Sequence, residues 1–214
     1  MITANNGFTI DKYKTDRLLE EYQEEPELVT MAKTFADAIM RQLALRPGMN
    51  CLEFGCGRGN LALLLPEKLQ ITALDPATAV IEVLERKIAG MNVSNITPLT
   101  GDIMEWQASH AFDLVYSTLA MHHIKDIDAL LQKCNRILNT SGDLILIDLD
   151  KEDGTFHDDN SQIHHFGFER EWLKDKLERN GLVLQSIDEV YRREKTRPDG
   201  KKVYPMFMAV AKKF

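Results

Sequence analysis

One stretch, Glu53-Phe54-Gly55-Cys56-Gly57-Arg58-Gly59-Asn60, restricts the fold more tightly than any other. An apolar run, 49–52, leads into it, and a helical pattern begins at Leu61. Twenty residues past Gly55 stands Asp75, closing a second apolar run, Ile71-Thr72-Ala73-Leu74. The pattern predicts a strand, a glycine turn, a helix and a second strand ending in a carboxylate. Glycine lets the chain turn sharply out of the first strand and brings backbone close to a ligand without a Cβ in the way. Such a unit holds a nucleoside-containing cofactor, with its ribose against the acid.

Two features argue against a diphosphate in that seat. The spacing is G-x-G-x-G, with Asn60 standing before the place where a dinucleotide fingerprint has its third glycine. Glu53 immediately precedes the turn, and a carboxylate there repels the anion that a helix N-terminus would otherwise attract. A cofactor with a positive amino-acid end and no phosphate suits the loop better. S-adenosylmethionine is one.

At this point the chain resembles a class I S-adenosylmethionine-dependent methyltransferase of the small-molecule, type 11/12-like kind. The likeness runs from Met49 to the C-terminus. It rests on the glycine turn, on Ala73-Leu74-Asp75, on Thr100-Gly101-Asp102-Ile103, on Phe112-Asp113-Leu114-Val115-Tyr116-Ser117 with Met121-His122-His123-Ile124, and on 138–147. The resemblance implies a role for each matching position. Glu53 would organise the site near the methionyl ammonium, with Gly55, Cys56, Gly57 and Gly59 giving the turn that carries it. Asp75, followed by Pro76, would hold the ribose hydroxyls. Asp102 would accept from the adenine amino group beside the Ile103 N–H, and Ser117 would lie near the methyl donor.

Plainer readings exist for several of these residues. Asp75-Pro76 is also an ordinary helix start, an N-cap followed by proline at the first helical position. Asp102 reads equally as a turn residue. Cys56 reads as a small filler between glycines rather than a nucleophile, because no base stands beside it.

Seven strands are expected, near 51–54, 71–74, 96–99, 114–117, 144–149, 182–191 and 203–211. They alternate with helices, one opened by Pro76 and one capped by Asp126, while Pro66 should end or kink the first. This predicts an α/β fold, a Rossmann-like seven-stranded sheet, mostly parallel, with helices on both faces. The turn at Pro198-Asp199-Gly200 is too short for anything but an antiparallel pair, so the C-terminus should be a hairpin. The expectation is a single domain over 1–214, with a helical cap in 1–48 and a core in 49–214. Phe8, Tyr13 and Tyr22 are candidate lid residues in the cap.

The net charge is −7, from 33 acids against 26 Lys and Arg, which disfavours nucleic acid as a partner. The basic cluster between Arg192 and Lys202 flanks the predicted turn and reads as a solvated hairpin tip. No apolar run reaches the length of a membrane span. The opening residues lack the basic start and apolar core of a signal peptide, and three cysteines without metal spacing fit a reducing compartment. Cytoplasmic location is therefore expected; oligomeric state is not readable.

In-line methyl transfer depends mainly on orientation and needs a base only when the acceptor arrives protonated. Candidate bases are the adjacent His122 and His123, after the fourth strand, and His157 with His164 or His165 in a long loop, about 150–168, that should line the acceptor pocket; His123, His157 and His165 are the ones taken for the site. The spacing of these histidines matches no specific metal pattern, so no metal is expected. The exit of the fourth strand, Ser117-Thr118-Leu119-Ala120, lacks the motif of amino-methylating DNA enzymes. A small-molecule acceptor is favoured. The alternatives left open are a nicotinamide oxidoreductase, a non-catalytic cofactor-binding protein of the same fold, and a methyltransferase acting on RNA or protein.

Overall fold

The computed structural model describes residues 12–108 and 111–214. Their seven strands form a mixed sheet, mostly parallel, as the alternating pattern predicts. The chain divides into two compact units, Met1–Gln107 and Ala108–Phe214.

The first unit holds helices α1 (Lys12–Glu20) and α2 (Pro26–Gln42), then β1 (Asn50–Phe54), α3 (Asn60–Leu64), β2 (Gln70–Asp75), α4 (Thr78–Met91) and β3 (Ile96–Thr100). Its strands run in the order β3-β2-β1, all parallel. Proline opens α2, where a missing N–H costs nothing. The buried face of α2 carries Val29, Ala32, Phe35, Ala36 and Ile39, spaced to one side of the helix. Helix α3 is only one turn long because Leu65 is its extended C-cap and Pro66 follows. Helix α4 ends where Asn92 adopts a left-handed conformation. The N-terminal lid candidates fare differently. Phe8 and the side chain of Tyr13 lie outside the described residues, whereas Tyr22 packs on the end of α4, its hydroxyl filling the space a Cβ at Gly90 would need.

The second unit holds β4 (Phe112–Thr118), a 3-10 turn (Met121–His123), α5 (Ile127–Ile137), β5 (Leu138–Leu149), α6 (Arg170–Arg179), β6 (Leu182–Arg197) and β7 (Gly200–Lys213). Its strands run β4-β5-β7-β6. The β4–β5 pair is parallel, while β7 is antiparallel to both β5 and β6. Asp126 caps α5, accepting from the Ala129 N–H at 2.9 Å. Flanked by β4 and β7, β5 buries every residue from Leu144 to Leu149. Five of those six are aliphatic; the sixth, Asp148, is a fully buried carboxylate. Such a group needs a partner.

Strands β6 and β7 extend to the turn at 198–199, well beyond the spans expected from apolar content. The basic residues there are only partly the solvated tip expected: Arg192 and Lys201 are exposed, but three others turn to the loop. Lys195 Nζ donates to the Phe156 carbonyl at 2.7 Å, Arg197 reaches that carbonyl and Asp158, and Lys202 reaches Asp153. Tyr204 donates to the Thr155 carbonyl at 2.9 Å and lays its ring edge against Phe156 at 5.2 Å. The hairpin clamps the loop at 153–158. Backbone bonds fasten the loop's ends, Lys151 to Phe168 at 3.1 Å and Glu152 to Phe166 at 2.9 Å.

Candidate functional site

In the first unit the glycine turn leaves β1 with Gly55, Gly57 and Gly59 all at positive φ, 66°, 52° and 73°. Gly59 is needed twice over: a Cβ there would come within 2.3 Å of Leu84 Cδ1 on α4. The Cys56 N–H donates to the Leu74 carbonyl at 3.1 Å, stitching the turn to β2. Asp75, half-buried at the end of β2, holds the turn with one carboxylate oxygen and its own exit with the other. Oδ2 accepts from the Gly57 N–H at 2.8 Å and Oδ1 from the Ala77 N–H at 2.9 Å. Each oxygen can accept a second hydrogen bond. Glu53 is buried at 1% exposure. Burial pushes the Cys56 thiol far up, and the charges of Glu53 and Asp75 push it further. Cys56 is a filler, and its surroundings are acidic.

Beyond β3, the Gly101 N–H donates to the Asp75 carbonyl at 2.9 Å, so the turn carrying Asp102 is tied to β2. Asp102 is exposed; its Oδ1 accepts from the Met104 N–H at 2.8 Å. Ile103 is buried beside it, and Pro76 is exposed. This unit thus brings together Glu53, the three glycines and Asp75.

Under the turn lies a charged network. Lys87 of α4 is fully buried, and its ammonium has three partners: Glu24 Oε1 at 2.6 Å, the Arg58 carbonyl at 2.9 Å and Asn60 Oδ1 at 2.7 Å. Arg58 Nε lies 3.0 Å from the same Glu24 oxygen, and Asn60 Nδ2 donates to Glu24 Oε2 at 3.3 Å. Burial lowers the Lys87 pKa and the Glu24 charge opposes that. Sequence reading missed both residues, although a signal existed. Lys87 stands in step with Ile81, Leu84 and Met91 on the buried face of α4.

In the second unit Asp148 has found its partner in His122. Its Oδ1 lies 2.7 Å from His122 Nδ1 and accepts from the Leu149 N–H at 2.8 Å; Oδ2 accepts from the His122 N–H at 3.2 Å. An ionised carboxylate only accepts, so the proton of a neutral His122 ring sits on Nδ1 and Nε2 presents a lone pair. That Nε2 is sealed from solvent with no hydrogen-bond partner among the described residues, and so is Nε2 of His157. The two rings are 4.9 Å apart, with His123 at 4.3 Å from His122 and 5.8 Å from His157. Burial, followed by repulsion from His122, His123 and Lys195, brings the His157 pKa down to about 4. His123 is exposed and has its Nδ1 2.9 Å from the Gln162 carbonyl. His165 turns away, its Nε2 3.1 Å from the Ile124 carbonyl and its ring against Phe168 and Trp172. Ser117 is buried at the end of β4.

The family model of a methyltransferase domain matches residues 28–187. The chain belongs to that methyltransferase family. An uncharacterized methyltransferase of Schizosaccharomyces pombe is 31% identical over 141 residues, which is 58% of this chain and 49% of that protein. One of Geobacillus kaustophilus is 30% identical over 137 residues, covering 62% of this chain and 60% of its own length. The chain thus spans about half of the curated relatives it matches. Among solved structures, a SAM-dependent methyltransferase from Aquifex aeolicus superposes with a TM-score of 0.67 at 16% identity, covering 96% of this chain and all of that one. That likeness is one of fold.

Within this methyltransferase fold, the residues named from sequence divide by unit. The glycine turn, Glu53 and Asp75 converge in the first, as the motif demands. Of the histidines taken for the site in the second, only His157 has an unpartnered buried nitrogen among the described residues; the ring nitrogens seen bonded in His123 and His165 hold backbone carbonyls. The histidine that the structure buries is His122, which sequence reading offered beside His123 without choosing it. Its signal was weak but present: a histidine pair after β4, and one carboxylate in the apolar run of β5. Among the described residues no three His, Cys, Asp or Glu side chains are arranged to hold a metal ion, and no helix is long and apolar enough to cross a membrane.

Proposed function

We propose that this chain transfers the methyl group of S-adenosylmethionine to a small-molecule acceptor. The observation that carries this reading is the carboxylate of Asp75. Two backbone N–H groups, Gly57 and Ala77, fix its orientation and leave lone pairs for a vicinal diol. The residues present fit the cofactor. A Cβ-free turn gives backbone approach, and a Cβ at Gly57 would meet nothing within 4 Å, so the space over it is open. Buried Glu53 suits a cationic amino-acid end and opposes the diphosphate of a nicotinamide cofactor. Bound there, S-adenosylmethionine supplies a sulfonium methyl group for in-line displacement.

The chain's own part is to orient and to manage a proton. Asp148 holds His122 with its Nε2 lone pair outward from the pair, a proton acceptor for an acceptor that arrives protonated. The sealed nitrogens mean that an acceptor reaches them only when the segment around His157 gives way. Small-molecule rather than nucleic-acid specificity is supported by the hairpin, whose Lys195, Arg197 and Lys202 are already engaged with the loop. The three cysteines are buried free thiols, consistent with a reducing cytoplasm.

Calorimetry decides the cofactor. S-adenosylmethionine and its demethylated product should bind, and NAD should not. Tight NAD binding, or no binding of the sulfonium nucleoside, would end this reading. Labelled methyl transfer into metabolite pools then finds the acceptor.

A further inference from the structure

The Glu24–Lys87 pair lies outside the motif and touches the motif's least ordinary part. Lys87 meets a backbone carbonyl inside the glycine turn, that of Arg58, and the side chain that opens α3, Asn60. One turn earlier on the same helix, Leu84 packs where Gly59 has no Cβ. Helix α4 therefore grips the turn at two points, one apolar and one charged. Glu24 completes the grip from the connection between α1 and α2, where its own N–H donates to the Leu18 carbonyl at 3.0 Å. An ammonium with all three donors used, buried in a place of low dielectric, holds its partners to one geometry.

We propose that Lys87 and Glu24 are positioning residues for the cofactor turn, linking its binding-competent shape to the segment that joins α1 to α2. Neither touches the reacting atoms. Lys87 holds the Arg58 carbonyl inward, so the peptide planes of 57–60 stay turned as the ligand needs them. Glu24 holds Lys87. By reciprocity, a ligand that favours this shape of the turn also favours closure of the segment around Glu24. The proposal rests on S-adenosylmethionine being the ligand of the turn.

A buried ion pair can be replaced by neutral groups of similar size with little loss of stability, which separates positioning from support of the fold. The test is calorimetric titration with S-adenosylmethionine of the wild-type chain and of the paired variant Glu24→Gln/Lys87→Met, with a thermal melt of each unliganded protein. Expected is a melt close to wild type and an affinity at least roughly tenfold weaker. A paired variant that binds within about twofold of wild type overturns the proposal. Should the variant fail to fold, hydrogen exchange on the wild-type chain decides. Saturating S-adenosylmethionine should slow exchange at the Glu24 amide, and an unchanged rate overturns the proposal. A wild-type chain that does not bind the nucleoside at all instead removes the reading of the cofactor on which this one stands.

Discussion

The glycine turn of the first unit and the histidine cluster of the second are built by different means. The turn is contiguous: eight residues, one carboxylate twenty positions on, and backbone hydrogen bonds between them. The cluster draws on positions 122, 148 and 157, whose side chains meet only because β4, β5 and a clamped loop bring them there. A site made of backbone needs glycines at fixed spacing, because only glycine gives both the conformation and the clearance. A site made of side chains tolerates any spacing that the fold can close. The contrast teaches that a turn built of backbone can be written as a local pattern, whereas a cluster of side chains is written in the tertiary structure.

Substitutions test this division, beginning with the largest effect. His122→Gln should lower methyl transfer by about two orders of magnitude, the usual worth of a positioned proton acceptor, and leave cofactor affinity within about twofold. Parallel losses in transfer and in calorimetric affinity would show that the two sites are not separable. Asp75→Ala should weaken S-adenosylmethionine by roughly 10- to 100-fold, since hydrogen bonds to a charged acceptor contribute about 1.5–3 kcal/mol. Unchanged affinity would reduce Asp75 to a tie between the glycine turn and the exit of β2. Gly59→Ala should cost about 1–3 kcal/mol in urea unfolding, from the strained φ and the collision with Leu84. A neutral result would mean that the turn can re-form without its glycine.

The smallest effect concerns pH. His157 binds its proton near 6.5 in the unfolded chain and only near 4 when folded, because of burial and the charges of His122, His123 and Lys195. Between those values the unfolded chain binds more protons, so stability falls as pH drops through the window. His157→Gln removes that contribution, and its unfolding free energy should decline less steeply from pH 6.5 to 4 than that of the wild type. Equal slopes would show that the loop leaves the ring solvated.

Much of the fold was legible beforehand, and the reasons are local. Apolar runs such as Ile71–Leu74 and the proline after Leu65 act through their own backbone, whatever surrounds them. The reach of β6 and β7 was underestimated because polar and charged residues such as Glu194, Lys195 and Lys202 form strand without an apolar pattern. Their pairing partner supplies the hydrogen bonds, the loop at 153–158 takes Lys195 and Lys202, and Glu194 pairs with Lys201. Lys87 was missed for a related reason. A lysine reads as surface until its partner is known, and Glu24 lies sixty-three positions earlier.

The succession of strands along the chain, the turn with its three left-handed glycines and the acid closing β2 were determined by sequence alone, since each follows from steric rules and apolar patterning acting over a few residues. Which histidine keeps a free nitrogen, which lysine is buried and which basic residues are occupied were decided only by tertiary structure. Those outcomes depend on partners far along the chain, and on a cost of burying unpaired charge that no local pattern records.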